Sequence, residues 1–166
     1  MKIAKAYRLM EKLAQCMRDS FEDFGVPDFC KGGLYPGAEV PWDYSSDCSA
    51  GNGQWWVRMT TYAPTVAFPE IAALPVASNR FKWMLGLEIG AVRAIPGANA
   101  NGTPPTDEQN TEATKLLMSD MMAMRAAIIC CFGDEDIVVS PYTPLGPQGY
   151  MAGGSWLLAV DASQAA

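Results

Sequence analysis

The run from Phe81 to Ile95 constrains this chain more than any other segment. Phe81, Trp83, Leu85, Leu87, Ile89 and Ala91 alternate with Lys82, Met84, Gly86, Glu88 and Gly90, which is the period of a half-buried strand. A helix is a poor fit, because two glycines interrupt the alternating pattern. Fully extended, the run would reach about 50 Å at ~3.3 Å per residue. That is longer than an ordinary strand, so a bulge or bend is expected near Gly86 or Gly90. The apolar set needs a core on one side of a sheet.

Other segments supply the rest of that sheet. Gln54 to Tyr62 is rich in aromatic and β-branched residues, with Trp55, Val57 and Met59 on one face and Trp56, Arg58 and Tyr62 on the other. Ile137 to Val139 and Trp156 to Val160 are shorter strand candidates, and Trp156 is expected to anchor the last strand. Residues 63–80, with three prolines, read as a crossing loop.

Two helices are expected. Over residues 3–24, Ile3, Tyr7, Met10, Leu13, Ala14, Met17, Phe21 and Phe24 follow helical spacing, and Gly25 with Pro27 forms the stop. Lys5, Arg8, Lys12 and Arg18 lie on the outer face, which reads as solvated rather than as a docking surface. The second helix starts at an N-cap, Thr106, with Asp107 and Glu108 in its first turn and Gln109 completing a capping box. Its stripe is Ala113, Leu116, Leu117, Met121, Met124, Ala127, Ile128 and Cys131, and Gly133 terminates it. Met118, Met121, Met122 and Met124 suit core filling, with an adaptable binding face as the alternative.

These elements predict an α+β fold: one domain over residues 1–166, an antiparallel sheet with two helices packed on one face. Turn-rich sequence places projecting loops at about 25–53 and 140–154. The second of these, Ser140 to Gly154, is dense in proline and glycine and lies between strand candidates. It reads as an ordered arm for contact with another molecule. Val40 to Tyr44, inside the first loop, reads as a short extended piece.

The chain has 166 residues and a net charge of −6, with no basic cluster. It is therefore a poor non-specific binder of nucleic acid, though compatible with a surface along which DNA slides. No apolar run approaches a membrane span, and the charged start is no secretory segment, so the expected site of synthesis and assembly is the cytoplasm.

Little in the sequence points to catalysis. Histidine is absent, which removes the usual base for a Ser or Cys nucleophile. The five cysteines, Cys16, Cys30, Cys48, Cys130 and Cys131, include no Cys-x-x-Cys and form neither a disulfide framework nor a zinc pattern. Cys30 and Cys48 flank a Gly/Pro-rich loop, so they either approach each other or serve as two buried thiols. Cys130-Cys131 lies at the helix pole that raises a thiol pKa. Asp134-Glu135-Asp136 lacks the spacing of a calcium loop and reads as a solvated turn. No phosphate loop is present. The expectation is a non-enzyme without metal or cofactor. Its five tryptophans lie in or beside strands and its loop tyrosines include Tyr35, Tyr142 and Tyr150, a distribution that suits a subunit made to assemble.

Several segments, taken in series, resemble one family. They are Leu34-Tyr-Pro-Gly, Val40-Pro-Trp-Asp with Cys48, Gly53-Gln-Trp-Trp-Val-Arg and Leu87-Glu-Ile-Gly-Ala-Val-Arg. Pro104-Pro-Thr, the helix ending at Cys130-Cys131, Thr143-Pro-Leu-Gly-Pro-Gln-Gly and Gly153-Gly-Ser-Trp follow. The series spans about residues 30–160 and is similar to small neck proteins of long-tailed phages of actinobacteria, in particular the tail terminators. The resemblance implies a virion protein forming a ring, usually a hexamer, at the head-proximal end of the tail tube. Its partners would be copies of itself, the major tail tube protein and head-to-tail connector or stopper proteins, with DNA passing through the lumen. The family has no catalytic residues to carry over. A neighbouring connector or stopper is the alternative. Beyond the neck, the alternatives are a small carboxylate or thiol enzyme using Cys30, Cys48 and the acidic loop, and a host-directed binding module. The interface candidates are Tyr142, Leu145, Tyr150 and Met151, with Trp42 and Tyr35 in the first loop.

Overall fold

The alternating run becomes the spine of a sheet. The computed structural model describes residues 2–43, 53–72, 82–133 and 137–162, and Lys82–Ala94 forms strand β4 within them. β4 is hydrogen-bonded along both edges. On one side it pairs with β2 (Gln54–Ala67) and on the other with β7 (Met151–Asp161), both antiparallel. Beyond β2 lies β1 (Lys31–Tyr35), in parallel, and the short β3 (Glu70–Ile71) also pairs with β2. β5 (Ile137–Val139) and β6 (Thr143–Gln148) both pair with β7, end to end along its outer edge. Helices α1 (Lys2–Asp23) and α2 (Asp107–Phe132) complete the fold. This is the expected α+β plan, with a mixed sheet: β1–β2 is its one parallel pair among the described residues.

The expected bend falls on the partner strand. β2 shifts register between Met59 and Thr61, directly across from Gly86. A Cβ at Gly86 would sit 2.7 Å from Thr60 Oγ1, so the bulge of one strand occupies the space the glycine leaves. Gly90 has the same role for an aromatic ring: a Cβ there would lie 2.2 Å from Trp56 Cζ2.

Both helices pack on one side of the sheet. Trp55, Val57, Leu85, Leu87, Ile89, Leu158 and Val160 meet Leu13 and Met17 of α1 and Met124, Ala127 and Ile128 of α2 in one buried cluster. Each fully buried aliphatic side chain contributes about 1.5–3 kcal/mol. The α1 stripe is rotated from its expected line. Ala6 and Leu9 face the core, whereas Tyr7 is 52% exposed. Tyr7 stands about 120° around the helix from Leu13 at ~100° per residue, so its ring cannot share the Leu13–Met17 line. Phe24 lies past the helix end and is exposed. The stop itself is as expected: Gly25 has φ 61°, its N–H reaches Glu22 O, and Val26 N–H reaches Phe21 O at 3.0 Å. That is a Schellman motif, closed by buried Phe21 and Val26. At α2, Thr106 and Gln109 form the reciprocal capping box, and Gly133 N–H bonds Ile129 O.

Three turn-rich segments differ from expectation. β1 lies inside the first predicted loop, although Lys31-Gly-Gly-Leu-Tyr carries turn residues. β2 continues through Pro64 to Ala67, so the crossing loop is shorter than read, and residues 73–81 are outside the described set. Ser140 to Gly154 is not an arm held away from the sheet. Its middle is β6, its end is the start of β7, and Gly149 and Tyr150 join them. Both have positive φ, 54° and 61°, as the two-residue type I′ hairpin requires. Pro144 and Pro147 are tolerated because β6 is an edge strand, where a missing N–H leaves no ladder bond unmade.

One buried ion pair crosses from sheet to helix. Arg93 of β4 is 0% exposed and Asp120 of α2 is 2% exposed. Arg93 Nε donates to Asp120 Oδ2 at 2.7 Å, and Nη2 donates to Oδ1 at 3.1 Å and to Pro27 O at 2.7 Å. The guanidinium carbon lies 3.7 Å from the Phe29 ring centroid. Burial, the largest effect, pushes the Asp120 carboxyl above its ordinary range, and Arg93 pulls it back. Arg93→Met, which strands the Asp120 charge, should cost about 3–5 kcal/mol in urea unfolding. Arg93→Met with Asp120→Leu should recover a large part of that loss.

Candidate interaction surfaces

The sheet face away from the helices has its own small cluster. Trp56 is 1% exposed, Val92 0% and Met151 2%, and Tyr35, Val40, Trp42 and Leu145 pack around them. Residues 36–43 are held over this face by side chains at the start of β2. Gln54, fully buried, donates through Nε2 to Pro41 O at 3.1 Å, and its Oε1 accepts from Asp43 N–H at 2.7 Å. Lys31 Nζ adds an exposed pair with Asp43 at 3.0 Å, and that hydrogen bond raises the lysine pKa.

Trp56 is fixed at both its edge and its face. Its Nε1 donates to Glu88 Oε1 at 3.0 Å, while Arg58 Nη2 donates to Glu88 Oε2 in a short contact. Gly90 beneath the ring gives the indole room to lie flat on β4. The Trp56–Glu88–Arg58 chain is an across-strand network, since Arg58 and Glu88 are direct partners in the β2–β4 register. Arg58 Nε is buried without a hydrogen bond.

This cluster gathers Tyr35, Trp42, Leu145 and Met151 from the sequence-predicted interface set. Met151 is buried and offers no contact surface; Leu145, Tyr35 and Trp42 are half-buried. Tyr142 belongs to the opposite face, 5.4 Å from the Trp156 ring centroid and tilted by 55°. Burial, with the nearby Asp120 charge, pushes its phenol up to about 12. Tyr150 stands apart at the hairpin tip and is 64% exposed.

Cys30 is exposed and disulfide-bonded, which overturns its reading as a buried thiol. Cys48 and the acidic residues 134–136 lie outside the described residues. Cys16 is half-buried, Cys130 exposed and Cys131 buried. Among the described residues no three His, Cys, Asp or Glu side chains converge on a metal-sized site. Clefts among the described residues include the following pair. One, of about 690 Å³, lies between Arg18 and Glu22 of α1, Pro27, Phe29 and Trp55. The other, of about 580 Å³, lies between Pro96 and the first turns of α2.

Exposed apolar side chains lie elsewhere, on a ribbon the sequence does not single out and on the methionine-rich helix α2. Val66 and Ile71, in the β2–β3 ribbon, are 67% and 61% exposed. On α2, Met118, Met122 and Ile129 are exposed while Met124 is fully buried, so the methionines divide between core and surface. The signal was present in the sequence, because α2 carries more apolar residues than one stripe can bury. No protein-family model matches the sequence, and no curated protein matches it.

The Tyr142 environment makes a titration prediction. Its folded pKa lies above the ordinary 10.0 of tyrosine. Stability from the protonated phenol is therefore complete below pH 10 and lost as pH rises through 10 towards about 12. The phenolate absorbance of wild type minus Tyr142→Phe should isolate one group titrating near 12, and the variant's unfolding midpoint should fall less between pH 10 and 11.5.

Proposed function

We propose that this chain is a tail terminator of a long-tailed actinobacteriophage. In this reading it is a virion protein whose copies form a ring, hexameric in the proteins it resembles. The ring caps the head-proximal end of the tail tube, stops tube growth and joins the tube to the head connector. The observation that carries the reading is the series of resembling segments from about residue 30 to 160, set on two long helices over one face of a mostly antiparallel sheet. The exposed apolar side chains on the β2–β3 ribbon and on α2 support a subunit with neighbours. No helix among the described residues is long and apolar enough to cross a membrane.

The charge balance fits the passage of DNA. A net charge of −6 repels phosphate overall, so DNA would move through a lumen without being held tightly.

Purified chain mixed with the major tail tube protein should appear in negative-stain micrographs as rings at one end of each tube, with tube growth arrested. A chain that stays monomeric and binds neither tube nor connector sinks the reading. Binding to the connector alone would assign it to a neighbouring stopper. In a gel-shift assay at ~0.15 M salt, double-stranded DNA should show no retardation by the chain.

A further inference from the structure

The connection from β4 to α2 contains an Asn-Gly step, Asn101-Gly102, and both residues are exposed. The backbone there requires the glycine. Gly102 N–H donates to Asn99 O at 2.8 Å, which closes a tight turn, and Asn99 N–H donates to Thr103 O at 3.0 Å across its base. Gly102 has φ 78°, a left-handed conformation that glycine adopts readily. A Cβ there would meet nothing within 4 Å, so the glycine answers to the backbone angle and not to packing. Asparagine at the first position and glycine at the fourth are residues that such turns prefer. The Asn99 side chain ties the loop further: its Oδ1 accepts from Asn101 N–H and from Thr103 N–H, both at 3.0 Å.

We propose that Asn101 is a site of spontaneous deamidation and that the turn, through Asn99, holds the reaction in check. Asparagine followed by glycine is open to this chemistry because no side chain on the second residue crowds the attacking nitrogen. The Gly102 nitrogen gives up its proton to water and attacks Asn101 Cγ. The new N–Cγ bond closes a five-membered succinimide, the Cγ–Nδ2 bond breaks, and Nδ2 takes a proton from water and leaves as ammonia. A further water then opens the ring at either carbonyl. The product is aspartate, or an isoaspartate whose chain runs on through the side-chain carbons. Nothing is oxidised or reduced, and water is the only co-reactant. In the fold the attacking nitrogen is already committed to Asn99 O, and the Asn101 backbone is pinned by Asn99 Oδ1. Ring closure must break the first of these bonds and strain the second. The turn thus creates the site, by requiring glycine after Asn101, and also slows it. Conversion would add a carboxylate to an acidic chain and, as isoaspartate, lengthen the backbone inside a closed turn. Asn99 follows closely on Gly97, where a Cβ would lie 2.2 Å from Tyr150 Cδ1, so the damage falls beside the backbone on which the exposed Tyr150 ring rests.

The test is tandem mass spectrometry of the full chain aged in neutral buffer. Conversion is read as the mass gain of an amide becoming an acid, with fragment ions separating Asn101 from Asn99. Native wild type should convert about tenfold more slowly than the same chain aged in guanidinium chloride, the factor that one or two hydrogen bonds of ordinary net strength supply. Asn99→Ala removes the Oδ1 acceptor and should speed conversion of the native chain severalfold, with circular dichroism confirming that it is folded. Asn99→Asp keeps an acceptor oxygen and should stay close to wild type. Equal rates in native and denatured wild type overturn the restraint, and this comparison needs no variant. An Asn99→Ala rate equal to that of wild type overturns the part given to the Asn99 side chain. No conversion of Asn101 in the denatured chain overturns the site itself. None of these outcomes bears on the ring reading, which the tube experiment decides.

Discussion

A guanidinium with no access to water needs its donors satisfied, and in this fold that requirement brings two other stretches of chain to Arg93 of β4. Asp120 brings α2 onto the far end of β4. Pro27 O fixes the connection leaving α1, and Phe29 covers the flat face of the group. An apolar core fixes distances loosely, because greasy side chains can repack at modest cost. A bidentate arginine–carboxylate pair fixes direction as well. The α1–β1 connection, β4 and α2 are thus held in register by one side chain, and the second helix cannot slide along the sheet without leaving a charge behind.

The sheet is covered unequally. The helix side has a continuous core, while on the other side residues 36–43 seal the patch around Trp56, and Ala63, Thr65 and Met84 are buried outside both clusters. Gln54 makes that patch possible. Its amide group supplies one donor and one acceptor to an irregular stretch of backbone that has no strand to pair with. A buried amide serves this purpose better than a carboxylate, which could accept but not donate.

The main elements were legible because their signals were redundant. β4 showed an unbroken alternation, and α2 had a capping box at one end and Gly133 at the other. Where local chemistry conflicted with tertiary context, the reading failed. Lys31-Gly-Gly carries turn residues, yet it forms β1 because β2 offers it a backbone edge. Ser140 to Gly154 looked like a loop for its prolines, yet an edge strand has no need of the hydrogens those prolines lack. Tyr7 differs in phase: an aromatic at plausible spacing stands off the stripe whose axis Leu13 and Met17 define. Of the interface candidates, aromatic or apolar residues in turn-rich sequence, Met151 is buried by the sheet, Tyr35, Trp42, Tyr142 and Leu145 are half-buried, and Tyr150 stays exposed. Arg93 and Asp120 could not be paired from sequence, since nothing local reveals that two residues so far apart along the chain share one buried site.

The unequal cover also gives the sheet an order of opening. Gln54 through Val57 are buried in succession, with the helices on one side and the 36–43 segment on the other. Further along β2, Met59 and Thr60 are exposed at the bulge, Ala63 and Thr65 are buried again, and the strand emerges at Val66 and Ala67. Backbone hydrogens at the doubly covered end can meet solvent only when one layer lifts away, whereas those of Val66 and Ala67 need only local fraying. The strand behaves like a zipper sewn shut over most of its length, so that its last two residues can shift while the registration of the remainder is preserved.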